Sequence, residues 1–185
     1  MRWAVFAIIA FAIVALQLSL AGALTLHTVG GLKPNLVAAL AVFIALFAHR
    51  TSVLWGCWLL GLMLDLGPAA TPGPVHVIGP HALGYVFGGF LILQLRSMVF
   101  RRRALTLGFL TFVFMVGAAV VAIFILGVRS FYPGESPMPG GALSELVRRM
   151  GTALYSGLLA IPFGWLLLTT FPLWNFQSGM PRRTA

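Results

Sequence analysis

Apolar residues run along this chain in long unbroken blocks, and polar residues gather in the short breaks between them. The pattern predicts six helical segments, at about 3–26, 33–48, 51–66, 79–95, 105–128 and 149–172. Strands of a closed membrane barrel would instead alternate apolar and polar positions in roughly ten-residue units. Inside hydrocarbon every backbone polar group must be satisfied within the chain, and continuous helices meet that demand. No soluble domain, long linker or internal repeat interrupts the series. The expectation is one all-α transmembrane domain over residues 1–185, a polytopic integral membrane protein with about six transmembrane helices.

The segments differ in length. Those at 33–48 and 51–66 barely reach across a hydrocarbon core of about 30 Å at about 1.5 Å per residue. They span if nearly upright or if Lys33 and Arg50 snorkel to the interface; a re-entrant hairpin turning at "AHRTS" (48–52) is the alternative. The first run, Trp3 to Leu26, is longer than the apolar part of a secretory signal, so it is read as a retained helix. Cleavage near Ala21-Gly22-Ala23 is the other reading. After the outer loops "HTVGG" (27–31), "GPAATPGPVHVIGP" (67–80) and "RSFYPGESPMPGG" (129–141), the stretch 142–151 reads as a short interfacial helix with Arg148 and Arg149 toward water.

Composition agrees with the pattern. The chain is 60% hydrophobic and only 8% charged, with a mean hydropathy of +1.01, too little polar surface for a soluble domain. The net charge of +9 comes from basic residues placed between apolar runs. That placement is a topology signal; nucleic-acid binding would need the cations gathered on a soluble face. With six spans both termini share a side. That side holds Arg2, Arg50, Arg96, Arg101, Arg102, Arg103, Arg182 and Arg183, and the positive-inside rule makes it cytoplasmic. The patch Arg96, Arg101, Arg102 and Arg103 marks topology and is also a candidate contact for anionic lipid or an acidic partner. Cys57, the single cysteine, excludes an internal disulfide and reads as a small apolar residue.

Candidate chemistry begins with Asp65, one of three acidic residues, at the outer end of the third segment. Lys33, His76 and His81 reach the same layer. A carboxylate there needs a cationic or hydrogen-bonding neighbour, and either Lys33 or His81 could supply it. Two readings follow, a tie that anchors the next loop and a ligand or partner site. The spacing of Asp65, His76 and His81 fits no compact metal motif, so no metal and no cofactor are expected. A second intramembrane aspartate and a Gly-x-Ser-x-Gly around Ser19 or Ser156 are both missing, so the chain is read as non-enzymatic.

Small residues form a further pattern. Gly84 and Gly88 share a helix face with His81, and Ala153, Gly157, Ala160 and Gly164 recur on the sixth segment beside Pro162, where a kink is expected. Such faces let helices approach closely, either within the bundle or against another protein's helix. Pro34 is placed in the first turn of the second segment, where its missing N–H does no harm.

"LKPNLVAALAVFIALFAHRTSVLWGCWLLGLMLDLGP" followed by "IGPHALGYVFGGFLILQLR" resembles the rod shape-determining protein MreD family. The likeness lies in Lys33-Pro34-Asn35-Leu36, in Gly61 with Asp65-Leu66, and in Gly79 followed by Ala82-Leu83 and Tyr85, across residues 32–103. It implies a multi-pass protein of the bacterial inner membrane, in the elongasome that directs peptidoglycan synthesis and cell shape. It implies binding to the transmembrane helix and juxtamembrane region of MreC. Through MreC it implies a link to MreB filaments and to the elongation transglycosylase and transpeptidase. It also implies a fold similar to the S component of vitamin transporters, so a small-molecule or lipid-binding module is the second expectation. The partner or pocket candidates are then Lys33, Pro34, Asp65, His81, Gly84, Tyr85 and Gly88.

Overall fold

A computed structural model describes residues 2–25, 32–67, 79–98, 103–129, 141–170 and 174 of the chain. Among them are six α-helices and no strand: α1 (Trp3–Leu24), α2 (Leu36–Phe47), α3 (Arg50–Asp65), α4 (Pro80–Leu95), α5 (Ala104–Arg129) and α6 (Gly141–Thr169). The all-α membrane bundle read from the apolar runs is therefore the fold. The boundaries of the first five agree with the apolar runs to within a few residues.

The sixth departs from expectation. The stretch read as a separate interfacial helix is the beginning of α6, which continues without a break from Gly141 through Pro162 to Thr169. The polar pair Arg148-Arg149 marks no helix end, because a backbone hydrogen-bond ladder is indifferent to side chains that can face outward. Pro34 is also displaced from its expected place. Asn35 caps α2 through its side chain, which accepts from the Ala38 N–H, so Pro34 lies before the helix.

Length separates the helices into two groups. Helices α1, α5 and α6 contain stretches of 18, 22 and 24 residues that are long and apolar enough to cross a membrane. Helices α2, α3 and α4 have 12, 16 and 16 residues, or about 18 to 24 Å at the α-helical rise. The shortest is also the most enclosed. Every residue of α2 from Leu36 to Leu46 is buried, and α2 packs on each of the other five helices. A helix without a lipid-facing side need not match the bilayer thickness by itself. Its walls do so for it. Its alanines, Ala38, Ala39, Ala41 and Ala45, keep it narrow enough to be surrounded.

Around this axis α3, α4, α5 and α6 form a consecutive series of packed pairs, while α1 leans on α2 from outside. Phe6, Ala10 and Ile13 make the inward stripe of α1, and Ile8, Phe11 and Leu18 remain exposed. Exposed apolar side chains cover the outer faces of the other helices too, among them Phe109, Phe124, Leu158 and Trp165. This is the surface expected where lipid is the solvent.

Cross-helix contacts order the two ends. Asn35, Asp65 and His81 lie at one end, where Tyr155 Oη also donates to the Leu24 carbonyl at 3.2 Å. At the other end Arg96 Nη1 donates to the Ala48 carbonyl at 3.0 Å. Near it Trp174 is buried with its ring centroid 5.4 Å from that of Phe43.

Candidate functional site

The residues singled out in the sequence converge at the junction of α3 and α4. Helix α3 ends at Asp65, and α4 begins at Pro80 with Gly79 in front of it. Proline suits a first helical position because its N–H is not required there. The donors that follow still need an acceptor, and Gly79 offers no side chain. Asp65 supplies it from another helix. Its Oδ2 accepts from the N–H groups of Gly79 at 2.9 Å and Ala82 at 3.0 Å. Its Oδ1 accepts from the His81 N–H at 3.2 Å and lies 2.8 Å from His81 Nδ1. The carboxylate is fully buried. A buried charge demands this many donors, and the positive end of the α4 dipole adds to their field.

Two glycines make the geometry reachable. Gly79 has φ of +127°, a conformation that favours glycine, and this turns its N–H toward Asp65. Gly61, one turn before Asp65, lies so close to α4 that a Cβ would stand 2.6 Å from both Ala82 Cα and the His81 carbonyl oxygen. The helices therefore touch backbone to backbone at the point where the carboxylate crosses between them.

A second polar cluster lies beside the first. The Asn35 side-chain amide donates to Tyr85 Oη at 2.6 Å, and the Asn35 N–H donates to Ser156 Oγ at 2.9 Å. Ser156 Oγ in turn donates to the Thr152 carbonyl at 2.7 Å. The Val37 N–H donates to Gln17 Oε1 at 3.2 Å. The open donors at the start of α2 are thus taken by side chains of α1, α6 and the cap residue Asn35, and Tyr85 of α4 closes the ring. Asn35 carries the signature of a helix cap, an amide directly before an apolar run. Gln17 and Ser156 leave no local signal, since their partners lie 20 and 121 residues away in the chain.

Of the site candidates, Asp65 and His81 are joined directly, Tyr85 lies one turn further along α4 and bonds Asn35, and Pro34 is buried. Lys33 does not join: it is exposed, and Asp65 is matched by His81 and backbone donors. His76 lies outside the described residues. Among the described residues no three His, Cys, Asp or Glu side chains gather as a metal-ligand set.

The small-residue faces point inward. A Cβ on Gly84 would meet the Ala118 carbonyl oxygen at 2.9 Å, and one on Gly88 the Phe114 ring at 2.8 Å. On α6, Ala153 and Ala160 are buried, Gly157 faces the Gly108 carbonyl oxygen and Gly164 faces Leu107. The glycines of both faces are filled by α5. Cys57 is buried with its sulfur against Gly89. In the basic patch, Arg96 ties α4 to Ala48, Arg103 is exposed, and Arg101 and Arg102 lie outside the described residues.

The fold and this junction define an all-helical membrane bundle braced at one end by a buried carboxylate. Comparison with family models, with curated proteins and with solved structures finds no match to the chain.

Proposed function

We propose that the protein is a non-enzymatic scaffold of the MreD type in the bacterial inner membrane, with six spans and both termini cytoplasmic. It binds the transmembrane helix and juxtamembrane region of an MreC-type partner, and through it serves the elongation machinery. One observation carries this reading. Six of the residues on which the resemblance rests meet in one joint: Asn35 bonds Tyr85, Gly61 seats Ala82, and Asp65 holds Gly79 and Ala82 together with His81. They act as a frame, with no acceptor site of Asp65 left for a reactant. What such a frame offers to other molecules is its outside, where apolar side chains such as Phe109, Val120 and Phe124 stand ready for packing.

The transporter-like alternative draws less support. It needs Asp65, Lys33 and His81 around an outward pocket, and the Asp65 carboxylate is buried and saturated while Lys33 stands apart. Two surface grooves stand out elsewhere on the bundle. One is lined by Phe87, Leu91, Phe112, Val116 and Met150, the other by Leu54, Trp55, Trp58 and Val86. Both are apolar and suit lipid or helix more than a hydrophilic vitamin.

Co-purification with the MreC-type protein of the same cell in mild detergent tests the proposal. Stable recovery of a complex is expected. A folded, monodisperse protein that never retains the partner would remove the scaffold reading and leave the ligand-binding module in its place.

A further inference from the structure

The opposite end of the bundle has a feature that the partner-binding reading does not use. Arg50 opens α3, and its guanidinium carbon lies 5.9 Å from the centroid of the Phe90 ring on α4. Below it, along the same helix pair, runs a groove of about 480 Å³ lined by Thr51, Leu54, Trp55, Trp58 and Val86. Trp55 and Trp58 are exposed by 57% and 38%, their rings set edge to face at 5.8 Å. Neither indole N–H has an acceptor among the described residues.

Among the described residues, charge at this end is one-sided. The chain's acidic residues are Asp65, Glu135 and Glu145. Asp65 lies at the far end of α3, and Glu145 stands in the first turns of α6, which begin at that far end as well. Among the described residues Arg50 therefore meets no carboxylate, only the face of Phe90 and its own outward exposure. Arg96, from the end of α4, adds a second cation while bonded to Ala48.

From this juxtaposition we infer that the α3–α4 face binds one anionic glycerophospholipid, its phosphate at Arg50 and an acyl chain in the Trp55–Trp58 groove. The inference rests on the chain lying in a bilayer and is independent of which protein it partners. Phosphate complements a guanidinium held by a ring face, the indole N–H groups suit the ester level, and the apolar groove below suits an acyl chain. A helix of a partner protein would use the groove but not the cation.

Native mass spectrometry of the full chain in detergent distinguishes these. The probes are dioleoyl phosphatidylglycerol and dioleoyl phosphatidylcholine, which share acyl chains and differ in net charge. The first should be retained about five-fold more strongly, the size expected for one cation near an anionic headgroup. Arg50→Gln should abolish that preference, and Arg50→Lys should keep most of it. Trp58→Ala should weaken retention of both lipids, while Arg103→Gln, on the next loop, should leave the preference intact. Equal retention of the two lipids by the wild type would overturn the site. So would a preference that survives Arg50→Gln, or one that Arg103→Gln removes equally well. Arg50 is exposed, so its variants keep the fold, and an unchanged thermal midpoint checks this.

Discussion

At Asp65, replacement by Asn keeps the shape of the side chain and reverses half of its hydrogen bonding. Four donors converge on two acceptor oxygens. An amide would present N–H groups to at least one pair of them. Leaving buried donors unpaired costs about 1–3 kcal/mol each, and more where a charge was involved. Asp65→Asn should therefore lower the unfolding midpoint in detergent by the equivalent of about 2–4 kcal/mol. An unchanged midpoint would mean that the cap does not hold the junction together. Gln17→Leu makes a smaller test of the same kind. It strands the Val37 N–H in an apolar setting and should cost about 1–3 kcal/mol by the same measurement. The role of Asp65 as a tie for the next helix was partly legible, because a carboxylate at a helix end in lipid requires donors. Its partner was not, since Lys33 and His81 stood equally near in the pattern. Asn35 was legible in principle from its place before an apolar run, but Pro34 drew the helix start to Lys33, three positions before Leu36. Gln17 and Ser156 could not be read at all, for pairing across the chain leaves no periodicity.

Helices meet here through missing side chains, and the glycines should not be interchangeable. A methyl on Gly84 runs into the α5 backbone at Ala118, whereas one on Gly127 meets nothing within 4 Å. Gly84→Ala should destabilise by about 1–3 kcal/mol through overpacking. Gly127→Ala should be neutral or stabilising by up to about 1 kcal/mol, since alanine is the better helix former. Thermal unfolding of the two variants side by side checks both signs, and equal effects would show that α4 and α5 are not in close contact. The apolar runs located all six helices, because in a membrane sequence the breaks are the only polar places. They mislaid the start of α6, where Arg148 and Arg149 look like a break but ride on a continuous helix. Which small-residue faces are used inside the bundle was also beyond them. The motif states that backbones can approach and is silent on whose.

For the molecule as a whole, enclosure of α2 sets the order of stability. Amide exchange in lipid nanodiscs should be slowest over Val37–Leu46, which has no exposed residue and is walled by five helices. It should be faster in the outer part of α1, whose exposed side includes Ile8 and Phe11. Protection that follows hydrogen-bond content rather than burial would give equal rates in both, and that result would contradict a central α2. The sequence held a hint of this, a segment apolar on every side and too short to cross alone. The same hint fitted a re-entrant hairpin, because in a chain this apolar nothing local tells an inner helix from an outer one.

The position of α2 also bears on how the chain is made. It is synthesised before α3 to α6, yet its last wall and the Ser156 oxygen that receives the Asn35 N–H belong to α6. Until that helix arrives, a stretch of about 18 Å is left with an unfinished cap and a surface meant for neighbours, too short to settle in lipid. Assembly must therefore be late and cooperative: the early helices wait, loosely held, and close around their centre only when α6 has arrived. A cell would meet each unfinished copy as a substrate for membrane quality control, and chains truncated before α6 should be cleared far faster than any full-length point variant.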